Sequence, residues 1–223
     1  MTDLITAEFH CHSVYSHDSS NRVPQLLAEA RRRGLGRLAI TDHNSIVGAL
    51  KAKELDPDLV IVGEEILTSK GELLAYYLSE AIPKGLSPMQ AIERLKGQGA
   101  FIAIPHVFDL RRHGWRREDL LEILPYVDAL EVFNARCLSP RVNLRVREFA
   151  QARELPMLAG SDAHSLVELG LATVRLPAFN SPDQLRSALK TAHISGRLLS
   201  PLDHFRASAL IGLGRLNPWK KSD

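Results

Sequence analysis

Residues 4–12, LITAEFHCH, end an apolar run near the amino terminus with a histidine on each side of a cysteine. In a β-strand, residues i and i+2 point to the same side, so we expect His10 and His12 to share one face and Cys11 to lie on the other. Two imidazoles directed at one point are typical of a metal site. The segment therefore predicts a strand that ends in a pair of metal ligands.

Short apolar runs recur along the chain and alternate with amphipathic segments, a pattern typical of βα units around a parallel sheet. Helix starts are indicated by Pro24, by Ser87-Pro88 with Gln90 three residues after the serine, and by Ser181-Pro182. The predicted strands are Leu4–His10, Arg37–Thr41, Leu59–Ile66, Glu72–Leu78, Phe101–Pro105, Val127–Phe133, Met157–Ala159 and Ala172–Leu176.

The chain of 223 residues is 45% hydrophobic, enough to bury one core, and we predict a single domain over residues 1–199. Residues 200–223 lose the alternation and are predicted to form a carboxyl-terminal tail. A net charge of +2 is too small for a general nucleic-acid coat. With two distant cysteines, no apolar run of about 18 residues and no leader, we expect a cytoplasmic protein without a membrane segment, and no obligate protein partner is indicated.

Histidines and carboxylates fall at or just past the carboxyl ends of the predicted strands. In a barrel these ends converge on one face, where active sites are built. So many buried ionisable groups are costly unless an ion holds them together. The residues concerned are His10, His12, Asp42, His43, Glu65, His106, Asp162 and His164.

Taken together, these motifs resemble the PHP family, the polymerase and histidinol phosphatase superfamily of metal-dependent phosphoesterases. The resemblance implies an α/β fold, a distorted seven-stranded (β/α) barrel, with up to three divalent metal ions. Imidazole and carboxylate ligands without thiolate suit Mn, Fe or Zn. The motifs that carry the resemblance, in family order, are His10-x-His12, Asp18, Thr41-Asp42-His43-Asn44, Gly63-Glu64-Glu65-Ile66, Pro105-His106 and Gly160-Ser161-Asp162-Ala163-His164.

Carried over to this chain, the resemblance implies three metal positions. The first is held by His10, His12, Glu65 and Asp162; the second by Glu65, as a bridge, and His106; the third by Asp18, His43 and His164. Many relatives have a further histidine ligand after a glycine, where this chain has Gly71-Glu72. Glu72 replaces that imidazole as an oxygen ligand, or the second position is weaker, or Glu72 is a strand carboxylate that faces solvent.

Two neighbouring pairs of residues compete for the role of metal ligand, and Asp42 is a separate case. We favour Asp18 over His17 as the acidic ligand, with His17 at the rim or in contact with substrate. Glu65 is favoured over Glu64 because it stands immediately before Ile66, as the ligand does in relatives. Asp42 is expected to orient a neighbouring ligand imidazole rather than to bind metal.

The charge balance of this centre predicts an anionic substrate. Three divalent cations against Asp18, Glu65, Glu72 and Asp162 leave about two positive charges, which a phosphate monoester dianion would neutralise. A metal-bound water would be the nucleophile, with His10, His12 and Asp162 as essential ligands. The further candidates are His113 as proton donor and Arg136, Arg111, Arg112, His17 and Asn134 as substrate contacts.

Arg136 is the preferred phosphate contact because arginine suits bidentate phosphate binding; a structural pair with Glu131 is the alternative. We therefore predict a phosphoesterase that acts on a small phosphorylated metabolite or nucleotide. An exonuclease acting on nucleic-acid ends, with short oligonucleotides as substrates, is the second candidate. A non-catalytic regulatory metal-binding module is the third.

Overall fold

The computed structural model, which describes residues 3–200 and Asp203, has nine strands in one sheet; eight of them fall on the predicted apolar runs and the ninth, near residue 194, was not predicted. The strands are β1 Leu4–Glu8, β2 Arg37–Ile40, β3 Val60–Leu67, β4 Glu72–Tyr76, β5 Phe101–Ile104, β6 Ala129–Asn134, β7 Met157–Gly160, β8 Ala172–Pro177 and β9 His193–Gly196. The helices are α1 Val23–Arg32, α2 Val47–Leu55, α3 Pro88–Gly97, α4 Arg117–Ile123, α5 Pro140–Gln151 and α6 Pro182–Ala188. Short 3-10 turns cover Leu110–Arg112, Leu124–Tyr126 and Leu189–Thr191.

The sheet is parallel in two blocks rather than throughout. Its order is β7-β6-β5-β4-β3-β2-β1-β8-β9, with β1 to β3 parallel and β5 to β7 parallel. Strands β4 and β8 run antiparallel to both of their neighbours, so the prediction of a wholly parallel sheet is wrong at these two strands. For β4 the reason is the short connection from Leu67 to Glu72, since a parallel crossover needs a dozen or more residues.

The barrel closes where the chain leaves β1 and β7. The backbone N–H of His12 donates to the carbonyl of Ala163 at 2.9 Å, and that of Asp162 donates to the carbonyl of His10 at 2.7 Å. Strands β1 to β7 thus form the ring, while β8 pairs with Leu4–Ala7 of β1 and β9 extends the sheet beyond β8. The predicted α/β barrel class is confirmed, with nine strands in the described chain instead of seven.

Local sequence signals explain where the helices begin. Helix α3 has the predicted capping box, because Ser87 accepts from the backbone N–H of Gln90 and the Gln90 side chain accepts from the backbone N–H of Ser87. Pro24 lies in the first turn of α1, and Ser181 caps α6. Helix α1 buries Leu26, Leu27 and Ala30 against the sheet, as its helical spacing predicts.

Aromatic side chains fill part of the core next to β1. Phe9, Tyr76 and Phe101 are buried, with ring centroids 5.7 Å apart for Phe9 and Tyr76 and 5.8 Å apart for Tyr76 and Phe101. Each such pair contributes about 0.5–1.5 kcal/mol beyond its buried area. The hydroxyl of Tyr76 donates to the carbonyl of Phe9 at 2.9 Å, which fixes the strand just before His10.

No helix in residues 3–200 is long and apolar enough to cross a membrane. Of the predicted tail, residues 200–223, all but Ser200 and Asp203 lie outside the described residues. The domain boundary at residue 199 stays a prediction.

Candidate metal centre

The strand topology brings all of the predicted ligands to one rim of the barrel. Most follow the ends of parallel strands, while Glu65 lies inside β3 near its end. Glu72 is the first residue of β4, and because β4 is antiparallel its first residue lies at the same rim as the last residues of its neighbours. The ligands brought together are His10, His12, Asp18, His43, Glu65, Glu72, His106, Asp162 and His164.

Four buried side chains form the tightest group, which we call the His10 site: His10, His12, Glu65 and Asp162. The Nε2 atoms of His10 and His12 are 3.1 Å apart, and each is 3.3 Å from an oxygen of Glu65. The Oδ1 atom of Asp162 is 3.7 Å from His10 Nε2 and 3.3 Å from His12 Nε2, and it is buried without a hydrogen-bond partner. Two nitrogens and two carboxylates thus converge as a divalent cation requires.

Glu65, Glu72 and His106 form a second group, the His106 site. His106 Nε2 lies 2.9 Å from Glu65 Oε1 and 3.4 Å from Glu72 Oε2. Glu72 is only 5% exposed, so the alternative that it faces solvent is wrong. Burial and the negative charge of Glu65 raise the pKa of Glu72 to about 8, because a second carboxylate is unfavourable there without a cation.

Asp18, His43 and His164 form the third group, the Asp18 site. Asp18 Oδ2 lies 3.4 Å from His43 Nε2 and 3.2 Å from His164 Nε2. His43 Nδ1 is 3.1 Å from Glu65 Oε2, which connects this group to the His10 site. The His17 side chain is 78% exposed and lies at the rim, whereas the Asp18 carboxylate contacts both His43 and His164. Of these two residues, Asp18 is therefore the one positioned as a metal ligand.

The three groups form one continuous cluster. Ligand atoms lie within 4.8 Å of one another in three overlapping sets in the described chain: His10, His12 and Asp162; His12, His43 and His164; and His43, Glu65 and Glu72. A donor set of imidazoles and carboxylates without thiolate fits Mn²⁺, Fe²⁺ or Zn²⁺. The unpartnered Asp162 oxygen is an independent sign that a cation fits between these side chains.

The pKa values show how strongly the cluster's charges interact. Burial opposes protonation of His10, but the carboxylates of Glu65 and Glu131 outweigh it and raise its pKa to about 10. Burial lowers the pKa of His164 to about 4 despite its contact with Asp18, and it lowers that of His12 strongly. The cluster therefore cannot charge all of its imidazoles, and neutral imidazole is the form that binds metal.

Backbone geometry at the centre is unusual at two ligands. His106 has a backbone φ of 28° and Asp162 a φ of 55°, a region that residues other than glycine rarely adopt. Such strain clusters at functional sites, where the surrounding structure enforces it. Gly160 is required for a related reason, because a Cβ there would overlap the Cβ of His10 and the carboxylate of Glu131.

Glu131 orients His10 and is a residue that the sequence did not assign to the centre. Its Oε1 lies 3.0 Å from His10 Nδ1, and its Oε2 accepts from the backbone N–H of His106 at 2.7 Å and from Asn134 Nδ2 at 2.9 Å. The alternative pair between Arg136 and Glu131 is therefore wrong. The available signal was a charged residue inside the otherwise apolar run Ala129–Phe133.

Asp42 acts on a ligand through an intermediary. It accepts from the backbone N–H of Ser13 at 2.7 Å and from the hydroxyls of Ser13 and Ser16 at 2.6 and 2.7 Å. Ser16 Oγ in turn lies 3.2 Å from His12 Nδ1. Asp42 thus fixes His12 by way of Ser16, a partner that the sequence did not indicate.

The predicted substrate contacts divide into those that reach the pocket and those that do not. Arg112 forms an ion pair with Asp162 and donates to Asn134 Oδ1 at 3.0 Å, and it lines the pocket. Arg136 lines it too, with its Nε 3.3 Å from Glu168 Oε1. Arg111 is 68% exposed and lies beside Asp109, outside the pocket lining.

Asn134 is fully buried, so it positions Arg112 and Asp162 rather than contacting a substrate; its Nδ2 donates to Asp162 Oδ2 at 3.0 Å. His113 and His17 are exposed and line the pocket. The pocket has a volume of about 1050 Å³ and opens over the cluster. Its remaining wall includes Leu67, Ala81, Ile82, Pro83, Lys84 and Leu138.

Comparisons with known proteins agree with this geometry. Residues 8–93 match the PHP domain and residues 140–194 match the PHP-associated segment. An uncharacterized protein of Methanocaldococcus jannaschii is 36% identical over 184 residues, which cover 80% of this chain and 74% of that protein.

Solved structures share the fold at lower identity. A two-domain protein of Bacteroides vulgatus containing a predicted PHP-like metal-dependent phosphoesterase superposes with a TM-score of 0.70 at 21% identity, over 93% of this chain and 70% of that one. PsfC of Pseudomonas syringae gives 0.68 at 15% identity, over 99% of both chains. A lesion-specific endonuclease of Pyrococcus furiosus gives 0.61 at 19% identity, over 86% of this chain and 58% of that one.

Proposed function

The chain belongs to the PHP family, and from that premise we propose that it is a metal-dependent phosphoesterase that hydrolyses the phosphate ester of a small metabolite or nucleotide. The observation that carries the proposal is the His10 site, where two buried imidazoles lie within 3.7 Å of two carboxylates, one of which, Glu65, also lines an open pocket. Family membership and this donor set support metal-dependent hydrolysis in general. The substrate and the number of metal ions belong to the proposal.

Up to three divalent ions, Mn, Fe or Zn, would be held by the His10 site, the His106 site and the Asp18 site. Bound there, they supply Lewis acidity to the phosphoryl oxygens and lower the pKa of coordinated water to about 7. Glu65 touches members of all three groups, so it is the side chain whose position links them. Glu131 and Ser16 orient the two imidazoles of the His10 site through their Nδ1 atoms, which leaves the Nε2 atoms directed at the candidate metal position.

Arg112 and Arg136 are placed to bind the phosphate. Both guanidinium groups line the pocket beside the ligand cluster, and each keeps N–H groups beyond those used for Asp162, Asn134 and Glu168. Arginine recognises phosphate oxygens in pairs, so these side chains orient the ester over the centre. His113, exposed at the pocket wall, is the candidate proton donor to the leaving oxygen.

The pocket favours a small ester over a polynucleotide. Its lining contains only a few cations, Lys84, Arg112 and Arg136, besides its histidines, and the chain has a net charge of +2. A long polyanion usually contacts a wider basic surface. Hydrolysis at nucleic-acid ends is the second candidate; the similar fold of the Pyrococcus furiosus endonuclease shows only that such a fold occurs in a nuclease. The third candidate, a purely regulatory module, is disfavoured because arginines line a pocket above the ligands.

The test is phosphate release from an aryl phosphate and from a panel of phosphorylated metabolites, measured with protein reconstituted with Mn²⁺. We expect turnover that His10→Ala and Asp162→Ala each abolish. His193→Ala, which removes an exposed imidazole at the start of β9, is the matched control and should retain turnover. Equal turnover in His10→Ala and the control would refute the proposal, and faster cleavage of a short oligonucleotide than of mononucleotides would favour the second candidate.

A further inference from the structure

The loop between β5 and α4, residues 105–116, carries Arg112 and is called the arginine loop. It is closed by its own backbone: Asp109 N–H donates to the carbonyl of His106 at 2.8 Å, and Trp115 N–H donates to that of Val107 at 2.7 Å. Gly114 N–H donates to the carbonyl of Asp109 at 3.0 Å. These bonds make the arginine loop one rigid piece that includes the candidate ligand His106.

The arginine loop is attached to β4 at Glu72. The N–H of Glu72 donates to the carbonyl of His113 at 3.1 Å, and the indole Nε1–H of Trp115 donates to the carbonyl of Glu72 at 2.8 Å. The β4–β5 register pairs Leu74 with Ala103 and, continued by two residues, would place Pro105 opposite Glu72. Proline has no N–H to donate, so the indole supplies the donor that the ladder lacks at this point.

The Trp115 side chain has no freedom to move away from this contact. It is 1% exposed and packs in the core between the helices and the sheet. Its ring lies directly against Gly71, where a Cβ would come within 2.6–2.8 Å of three ring atoms. A glycine before Glu72 is therefore what lets the indole reach the Glu72 carbonyl.

From this arrangement we infer that Trp115 is a positioning residue that couples the His106 site to Arg112, the candidate phosphate contact on the arginine loop. Its indole N–H holds the Glu72 backbone, the Glu72 carboxylate lies 3.4 Å from His106, and His106 and Arg112 belong to the same arginine loop. Displacing the indole would therefore shift Glu72 relative to both. The substrate half of this inference rests on the proposed function, whereas the metal half does not.

The experiment compares the full chain with Trp115→Phe, which keeps an aromatic ring against Gly71 but removes the donor. Groups that orient metal ligands typically contribute tenfold or more to affinity, so calorimetric titration with Mn²⁺ should show the weakest binding step weakened about tenfold. The KM for the aryl phosphate should rise by about the same factor with little change in kcat at saturating Mn²⁺. Ile123→Val is the matched control, because Ile123 is buried in α4 and its shortening removes packing without removing a donor.

Each outcome decides the inference. Unchanged Mn²⁺ binding in Trp115→Phe, or an equal loss in Ile123→Val, overturns it, as does a wild type that binds no Mn²⁺. If Trp115→Phe does not fold, Gly71→Ala displaces the intact indole instead, and unchanged binding there also overturns it. A wild type that binds Mn²⁺ but cleaves no ester refutes the proposed function, while the Mn²⁺ comparison still decides the role of Trp115.

Discussion

Glu131→Gln should disable the His10 site by changing which nitrogen of His10 carries the proton. In the native protein the Glu131 carboxylate accepts on both oxygens: Oε2 receives the backbone N–H of His106 and the Asn134 amide, and Oε1 faces His10 Nδ1 at 3.0 Å. A glutamine has only one acceptor oxygen, and we expect that oxygen to lie where Oε2 lies now, because the His106 N–H and the Asn134 amide both donate there. The amide NH₂ then faces His10 Nδ1.

Two donors cannot face each other, so Nδ1 must become the acceptor and the proton moves to Nε2. Nε2 is the atom that lies 3.1 Å from His12 and 3.3 Å from Glu65, and once protonated it cannot bind a metal ion. Loss of such an orienting carboxylate typically weakens metal binding by 10 to 100-fold, and we expect the upper end, about 2.7 kcal/mol.

The assay is calorimetric titration of the metal-stripped protein with Mn²⁺, followed by kcat/KM on an aryl phosphate. Glu122→Gln, an exposed carboxylate of α4, is the control and should behave as the wild type. Nitrogen-15 chemical shifts of His10 report the tautomer directly. Mn²⁺ affinity in Glu131→Gln within twofold of the control would refute the argument.

Two further predictions follow from the same cluster. Metal-stripped protein should lose thermal stability as the pH rises from about 7 to 10. The folded protein raises the pKa values of His10 and His43 to about 10 and that of Glu72 to about 8, all above their values in the unfolded chain. Protonation of these groups therefore stabilises the folded state at lower pH, and this stabilisation disappears as the pH rises through the folded-state pKa values. The thermal unfolding midpoint should fall across this pH range, and a midpoint that does not change with pH would contradict the raised pKa values of these three side chains. Gly160→Ala should destabilise the protein by about 1–3 kcal/mol in urea unfolding, since its Cβ overlaps His10 and Glu131. If Gly160→Ala unfolds at the same urea concentration as the wild type, the barrel accommodates the added Cβ without loss of stability and the prediction is wrong.

The sequence predicted the rim of the barrel well because the relevant signals are local. A histidine or carboxylate directly after an apolar run marks a strand end, and the ends of parallel strands meet wherever the strands pair. The helix starts at Pro24 and Ser87 were equally local signals, since capping depends on a few neighbouring residues. Family motifs then grouped the ligands without any knowledge of distances.

What the sequence could not predict depends on long-range pairing. The direction of β4, which brings Glu72 to the same rim as the other ligands, is the exception: the four residues between Leu67 and Glu72 are too few for a parallel crossover and end in Gly71, so a local hairpin signal was present and was missed. Arg111 and Arg112 are adjacent and chemically identical, yet the turn at Leu110–Arg112 directs only Arg112 to Asp162. The partner of Glu131 is 121 residues away, and no local pattern indicates it.

The closure of the ring through His10 and Asp162 sets the order in which the centre can be assembled. A chain synthesised from its amino terminus completes β1 early, but the hydrogen bond from the Asp162 N–H to the His10 carbonyl must wait for residues made some 150 positions later. Until then the Nε2 atoms of His10 and His12 lack the neighbouring carboxylate of Asp162. A nascent chain therefore acquires the complete set of donor atoms only when its barrel is closed. Tight cation binding at this centre is expected of the completed fold and not of a partly synthesised chain.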